Sequence, residues 1–439
     1  MGLKKAIGLF DGISILAGIM IGSGIYAFAG LILFRSFNNL ALSLLVWIIG
    51  GIITLFSALT YGELGTMFPE TGGYYVYLKK AYGKRIAFLS GVMNFVLSSS
   101  GSIALLAIIF GDILGNYVLG LNGWTRGIAA FMIVGLSLIN YLGIKWGSMV
   151  QKIFLIAKIL PMLVIIIMGL FLGKESISLS FSSLEGVPFW TLWVGIGYAV
   201  IGTLWSYEGW TNLNTMTGEM KNVKKDLPRA LSWATLLVTL VYLLFIYALY
   251  RILSYQTLLD LGAGGFLPIA AMMTLFGQTG MMFVFIAVLI SIFGALNGSI
   301  MVFPRVYYAM AEDGLFPKAF RHVNSKRSTP TWAILGSGLM ALLLILFNIE
   351  QLLTFVVMGG LIFNTLIFIS VFLFRKREPN RVRPYRVWGY PFVPIIAILG
   401  MVMLLIATAI QSLVPSLIGL GVLIIGYFLY PYLMKKQSR

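Results

Sequence analysis

Two short stretches carry residue types through which a protein could hold a small charged molecule. The first is "IMIGSGIY", residues 19–26, where Gly22-Ser23-Gly24 interrupts an apolar run. The second is "GTLWSYEGWTNLN", residues 202–214, where Ser206, Glu208 and Gly209 interrupt another. Glycine costs a helix interior about 1 kcal/mol relative to alanine. Each stretch therefore reads in two ways. Small residues let helices pack closely in a membrane, or the helix comes apart at mid-depth. The second break stands five apolar spans after the first, so the two segments cross in opposite directions. Paired breaks at matching positions of inverted halves point to a secondary-transporter site, which favours opened helices over packing.

Opening a helix in lipid frees N–H and C=O groups that need partners. The N–H groups at Ser23, Gly24 and Ile25, at the positive end of a helix dipole, suit a carboxylate. Carbonyls at Met20 and Ile21, and at Trp205 and Ser206, suit an ammonium group. One small molecule carries both charges a short distance apart: an α-amino acid. Glycine serves there because a Cβ would obstruct a substrate that touches backbone.

Other chemistries are poorly supplied. There is no cysteine and one histidine, His322, in a basic loop, so no metal site and no cofactor are expected. No paired carboxylates and no nucleophile with a base appear, which argues against an enzyme. No repeated filter appears, which argues against a channel.

The elements that must position the two breaks are membrane helices. Of the 439 residues 59% are hydrophobic and 10% charged, and the mean hydropathy is +0.96. A soluble domain carries about 25% charged residues. The composition implies an all-α integral membrane protein, residues 1–439 forming one transporter domain. The amino terminus is short, basic and without a small-residue cleavage site, so the first apolar run reads as a span rather than a signal peptide. Twelve apolar spans are expected, at 11–34, 40–66, 86–117, 125–143, 148–172, 189–218, 229–251, 280–309, 331–348, 352–374, 391–411 and 414–433. The segment 264–277 is apolar but short and reads as interfacial or re-entrant.

The net charge of +17 could suggest nucleic acid, but its distribution suggests orientation. Of 31 Lys and Arg, 26 fall in one set of alternate loops and at the termini. They include Lys4, Lys5, Lys79, Lys80, Lys145, Lys326, Arg327, Arg375, Lys435, Lys436 and Arg439. Four, Arg35, Arg126, Lys174 and Arg251, fall in the other set. The positive-inside rule then puts both termini in the cytoplasm, and lipid headgroups rather than nucleic acid account for the charge. The remaining cation, Lys158, lies in "LIAKILPM", about 15 Å into the fifth span.

At these residues the chain resembles the amino acid–polyamine–organocation superfamily, and within it the L-type amino-acid transporters and their bacterial relatives. The matching stretches are "IMIGSGIY", "GELGTMFPETGGYYVYLKKAYG", "WSYEGWTNLNTMTGEMKNVKKDLPRAL", "IFGALNGSIMVFPRVYYAMAEDGLFP" and "RPYRVWGYPFVP". The resemblance covers essentially the whole chain. It implies a leucine-transporter-type fold, with inverted five-helix repeats at about 8–172 and 188–374 and added helices at about 391–433, the first and sixth helices discontinuous. It implies sodium-independent alternating access at the cell membrane, often as obligatory exchange, with no obligatory protein partner. The substrate class it suggests is small neutral L-amino acids of the alanine, serine and cysteine type. Carried over residue by residue, Gly22, Ser23 and Gly24 would receive the carboxylate. Carbonyls of Met20, Ile21, Trp205, Ser206 and Glu208 would receive the ammonium. Trp205 would be an aromatic lid, and Asn212, one turn into the second half of span six, a polar contact. Lys158 sits at the family's fifth-span lysine position, where its ammonium would replace a sodium ion by bonding carbonyls near Gly22 and hydroxyls such as Ser299. Snorkelling and proton carriage are the other readings of Lys158. Glu208 departs from the small residue common in L-type relatives. It is compatible with a proton-coupled carrier of cationic amino acids or polyamines, with pairing to Lys158 or another polar group, or with exposure to the aqueous pathway.

Overall fold

The computed structural model describes the backbone of residues 5–121, 123–324, 329–411 and 413–437. Lys4, Lys326, Arg327 and Arg439 of the basic set lie outside the described residues, as do the side chains of Lys145, Lys435 and Lys436. In chain order the α-helices are α1 (Leu9–Met20), α2 (Gly24–Arg35), α3 (Leu40–Met67), α4 (Tyr74–Tyr82), α5 (Lys84–Met93) and α6 (Ser99–Asp112). They continue with α7 (Thr125–Tyr141), α8 (Ile144–Leu172), α9 (Phe189–Ser206), α10 (Val223–Ile252), α11 (Tyr255–Leu261) and α12 (Leu267–Val302). The last are α13 (Pro304–Glu312), α14 (Thr331–Leu344), α15 (Ile349–Arg377), α16 (Phe392–Gln411) and α17 (Leu413–Gln437).

Among the described residues, nine helices are long and apolar enough to cross a membrane, and α1 with α2, bent by 53°, adds a tenth when the pair is taken as one span. Two more apolar helices, α7 and α14, have 17 and 14 residues and reach about 26 and 21 Å. The outward surface is apolar: Phe131 is 76% and Ile156 70% exposed, as lipid-facing side chains must be.

Three local features differ from the expected spans. First, the segment after Ser206 does not resume as an α-helix; residues Asn212–Glu219 form a tighter 3₁₀ run. Its sequence NLNTMTGE explains this, because Thr and Asn side chains compete for backbone. The Thr215 hydroxyl donates to the Asn212 carbonyl at 2.8 Å and the Thr217 hydroxyl to the Asn214 carbonyl at 3.2 Å. Asn212 therefore opens a 3₁₀ run rather than lying one turn into a helix. Second, the third span passes from α5 to α6 through a π-helical stretch at Asn94–Ser98. Third, the short piece 267–276 is the helical first part of α12, which kinks at Gly277, whose φ of 60° requires glycine.

The side carrying the basic loops is tied together. Arg305 pairs with Glu219 at 2.9 Å, both buried, and Arg375 with Glu63 at 2.6 Å. Lys79 pairs with Asp313 at 2.6 Å, and Asp11 of α1 pairs with Lys152 of α8. Ahead of α1, the Ala6 and Ile7 N–H groups donate to the Glu219 carbonyl at 2.8 and 3.0 Å.

Candidate functional site

The first break follows from the chain at Ile21, whose ψ of 87° ends α1; Ser23 then starts α2 as its N-cap residue. The second follows from Tyr207 at φ −87°, ψ 0° and Gly209 at φ +119°. The two meet. A methyl group placed on Gly24 would lie 3.0 Å from the Ser206 Cα, and one on Gly209 would lie 2.9 Å from Ile19 Cγ2. The glycines are required by this close approach.

A cavity of about 330 Å³ opens at the junction, within the size range of small-molecule sites. Met20, Gly22, Ser23, Gly24, Trp205, Ser206, Glu208, Asn212 and Ser299 all line it. It continues to Ile109 and Ile349, at the ends of α6 and α15 away from the basic loops. Trp205 leans on Phe28 with ring centroids 6.1 Å apart, over the break on that same side. Ile21 and Lys158 lie behind the wall rather than on it.

The backbone partners refine the expected binding groups. At the start of α2 the N–H groups of Ser23, Gly24 and Ile25 have no backbone partner among the described residues, as the first turn of a helix dictates. The Gly22 N–H is taken by the Met20 carbonyl at 2.9 Å. Four of the five expected ammonium acceptors already have protein donors. The Ile21 carbonyl accepts from Lys158 Nζ at 2.6 Å and from Ser291 Oγ at 3.0 Å. Tyr242 Oη lies 2.9 Å from the Met20 carbonyl and 3.1 Å from that of Ser206, spanning both breaks. The Trp205 carbonyl accepts from the Glu208 N–H at 3.1 Å. The Glu208 carbonyl alone of the five has no protein donor among the described residues.

Lys158 is fully buried and does not snorkel; its ammonium donates to the Gly18 and Ile21 carbonyls, each at 2.6 Å. The hydroxyl beside it is that of Ser291, which also reaches the Gly22 carbonyl at 3.2 Å. Ser299, expected in that place, faces the cavity instead. Glu208 does not pair with Lys158. Its side chain is open to the cavity with a backbone hydrogen bond from Gly209, and no Lys or Arg among the described residues pairs with it. The side chains of Ser23, Thr211, Asn212 and Ser299 also face the cavity, and these four have no hydrogen-bond partner among the described residues.

Sequence reasoning missed Tyr242, Ser291 as a Lys158 neighbour, Asn364, and the polar wall of the third span. That wall is Asn94, Ser98, Ser99 and Ser102, and the π-helical stretch within it faces the cavity; such stretches recur at functional sites. The run "NFVLSSSGS" inside an apolar span was the available signal.

Helices that cross a membrane around a central cavity, with two opened helices at its floor, define a multi-pass membrane carrier of small molecules. The chain belongs to the amino acid permease family, whose model matches residues 7–430. It is 36% identical to the serine/threonine exchanger SteT of Bacillus subtilis (strain 168), over 100% of this chain and 98% of that one. It is 31% identical to the large neutral amino acids transporter small subunit 2 of Mus musculus, over 100% and 83% of the two chains. It is 30% identical to the mouse b(0,+)-type amino acid transporter 1, over 93% and 84%. The protein is an amino acid transporter and not an enzyme.

Proposed function

We propose that the chain exchanges small neutral L-amino acids of the alanine, serine and cysteine type across the cell membrane, without sodium and by alternating access. The observation that carries this reading is the meeting of the two breaks at one cavity, with N–H groups on one and a carbonyl on the other that have no partner among the described residues. The substrate carboxylate caps the α2 N-terminus at Ser23, Gly24 and Ile25. Its ammonium turns to the Glu208 carbonyl. The long helices, the bent pair and the two shorter apolar helices make twelve spans, arranged as inverted repeats at about 8–172 and 188–374 with the added pair at 391–433. Both termini then face the cytoplasm, and the chain works without an obligatory protein partner.

The test is uptake of labelled alanine into proteoliposomes with and without internal unlabelled alanine, competed by each standard amino acid. Uptake that requires internal substrate and is competed by alanine, serine and cysteine is expected. Equal uptake into empty vesicles would overturn exchange. A second reading, a proton-coupled carrier of cationic amino acids or polyamines, is favoured by the unpaired Glu208 on the cavity wall. Strong competition by arginine or putrescine, with uptake driven by an inward proton gradient, would establish it in place of the first.

A further inference from the structure

Behind the first break, away from the cavity, a chain of buried amides joins three helices. Asn140 Nδ2 of α7 donates to Asn297 Oδ1 of α12 at 2.9 Å, and Asn297 Nδ2 donates to Gln151 Oε1 of α8 at 3.0 Å. The direction of the chain is fixed. Asn140 Nδ2 also donates to the Leu136 carbonyl at 3.0 Å and Asn297 Nδ2 to the Gly147 carbonyl at 3.2 Å, and carbonyls only accept. The chain therefore ends in a donor, Gln151 Nε2. Gln151 is fully buried, and its Nε2 has no partner among the described residues. A buried donor left unpaired is costly, so this amide favours any state of the protein that pairs it.

The unpaired amide is aimed at α1. A methyl group on Gly18 would overlap Gln151 Nε2, and one on Gly298 of α12 would lie 3.1 Å from it. Gln151 and Lys158 are about two turns apart on α8 and share a face. Gly18 stands between them. Its carbonyl accepts from Lys158 Nζ at 2.6 Å, and the Gln151 amide fills the space of its missing side chain. That carbonyl is free of its own helix, because the Gly22 N–H turns to the Met20 carbonyl. It can change donors without breaking a turn of α1.

We infer that Gln151 is a positioning residue for α1, and that its Nε2 takes the Gly18 carbonyl over from Lys158 when α1 shifts to close the cavity and open the side of the basic loops. This rests on the reading as an exchanger working by alternating access, and deepens it. Shifts of about 1–2 Å between packed helices accompany such transitions. In the present state the lysine holds both the Gly18 and the Ile21 carbonyl and the amide holds none. In the other state each donor holds one. Asn140 and Asn297 anchor the amide to α7 and α12, so α1 moves against it rather than with it. Gln151 does not line the cavity. It therefore acts on the balance of the two states and not on the choice of amino acid.

The chain has no cysteine, so a single Ala27→Cys reporter, exposed on the cavity wall, can be read alone. Its labelling rate by a membrane-impermeant maleimide, added from the side on which the cavity opens, follows the population of the present state. In this background Gln151→Leu and Gln151→Met each remove the unpaired donor together with the bond it would make in the other state. Exchange of alanine in proteoliposomes should slow about tenfold, the effect of about 1.4 kcal/mol, and exchange of serine in the same proportion. Labelling should become faster, and Tm should not fall. Gln151→Met decides the point if Gln151→Leu does not fold. Unchanged exchange overturns the assignment, and so does slower exchange with unchanged labelling. A collapsed Tm in both variants also overturns it, since Gln151 would then be holding the fold. Absence of exchange in the protein with Gln151 intact overturns the exchanger reading itself, and this one with it.

Discussion

The two breaks do different work, although each interrupts an apolar span with glycine and polar residues. The first is short and held from behind. Between Met20 and Gly24 its carbonyls are gripped by Lys158 Nζ at 2.6 Å and Ser291 Oγ at 3.0 Å, and no residue in it needs a positive φ. The second is long and open in front. It runs from Tyr207 into a 3₁₀ segment, includes Gly209 at φ +119°, and turns Glu208 and Asn212 to the cavity. The first break is a fixed backbone cradle, suited to what all α-amino acids share. The second adds to the Glu208 carbonyl a set of side chains, suited to what distinguishes them. Substitutions in the first should therefore affect every substrate alike, and substitutions of the cavity-facing side chains in the second should change their ranking.

The largest effect is expected where the breaks touch. Gly24→Val would put branched carbon 3.0 Å from the Ser206 Cα, which is backbone and cannot rotate away. Overpacking of this kind costs up to about 3 kcal/mol. Affinity for alanine and for serine should fall together, by about a hundredfold, in protein that remains monodisperse. Ligand binding to the purified variant checks it; wild-type affinity would refute a carboxylate held by α2 backbone. Next comes Lys158→Ala. Removing a buried charge leaves stability little changed, because the desolvation cost disappears with it. The Gly18 and Ile21 carbonyls lose a donor, and a shift of about 1.4 kcal/mol between alternating states changes their ratio tenfold. Exchange should drop at least about tenfold, with a small change in Tm. Exchange lost together with collapsed Tm would assign Lys158 to holding the fold.

Much of this division was legible in the residues. The glycine and polar residues of "GSG" and "SYEG" inside apolar runs located both breaks, and the buried lysine stood out because every other cation falls in a loop or at a span end. What stayed hidden depends on tertiary register. Tyr242 sits in a long apolar helix whose pattern cannot say which face meets the breaks. Ser291 and Ser299 are two turns apart on α12, and only packing decides that Ser291 meets the carbonyl held by Lys158. The second half of span six looked like a helix because its hydropathy continues past Ser206. The backbone there follows Thr and Asn hydrogen bonding instead.

Tyr242 ties the two breaks together, so it tests whether they move as one. Its ring is fixed by Trp47, edge-on at 5.6 Å, and by Tyr207 at 5.1 Å. Tyr242→Phe keeps that packing and removes only the hydroxyl between the Met20 and Ser206 carbonyls. One such hydrogen bond is worth about 1 kcal/mol net, so exchange should slow by about fivefold, with Tm shifted by a few degrees at most. Wild-type rates in the variant would show that the breaks are coupled through the substrate alone.

The smallest expected effect is that of sodium. An ion serving the first break would have to sit among the carbonyls and hydroxyl that face the inner side of α1 and α12. That place is filled by a fixed ammonium: Lys158 Nζ reaches the Gly18 and Ile21 carbonyls, and Ser291 Oγ closes the same group against Ile21 and Gly22. A sodium ion there would meet a positive charge within a few ångströms in a poorly screened interior, which costs several kcal/mol. Replacing external sodium by choline should therefore leave alanine exchange within about twofold, less than 0.5 kcal/mol. The Lys158→Ala variant sharpens the measurement, since it vacates the charge and leaves the carbonyls. If sodium restores exchange to that variant while leaving the wild type unaffected, the ammonium stands where an ion would. If the wild type itself loses exchange in choline, the fixed-cradle account of the first break is wrong.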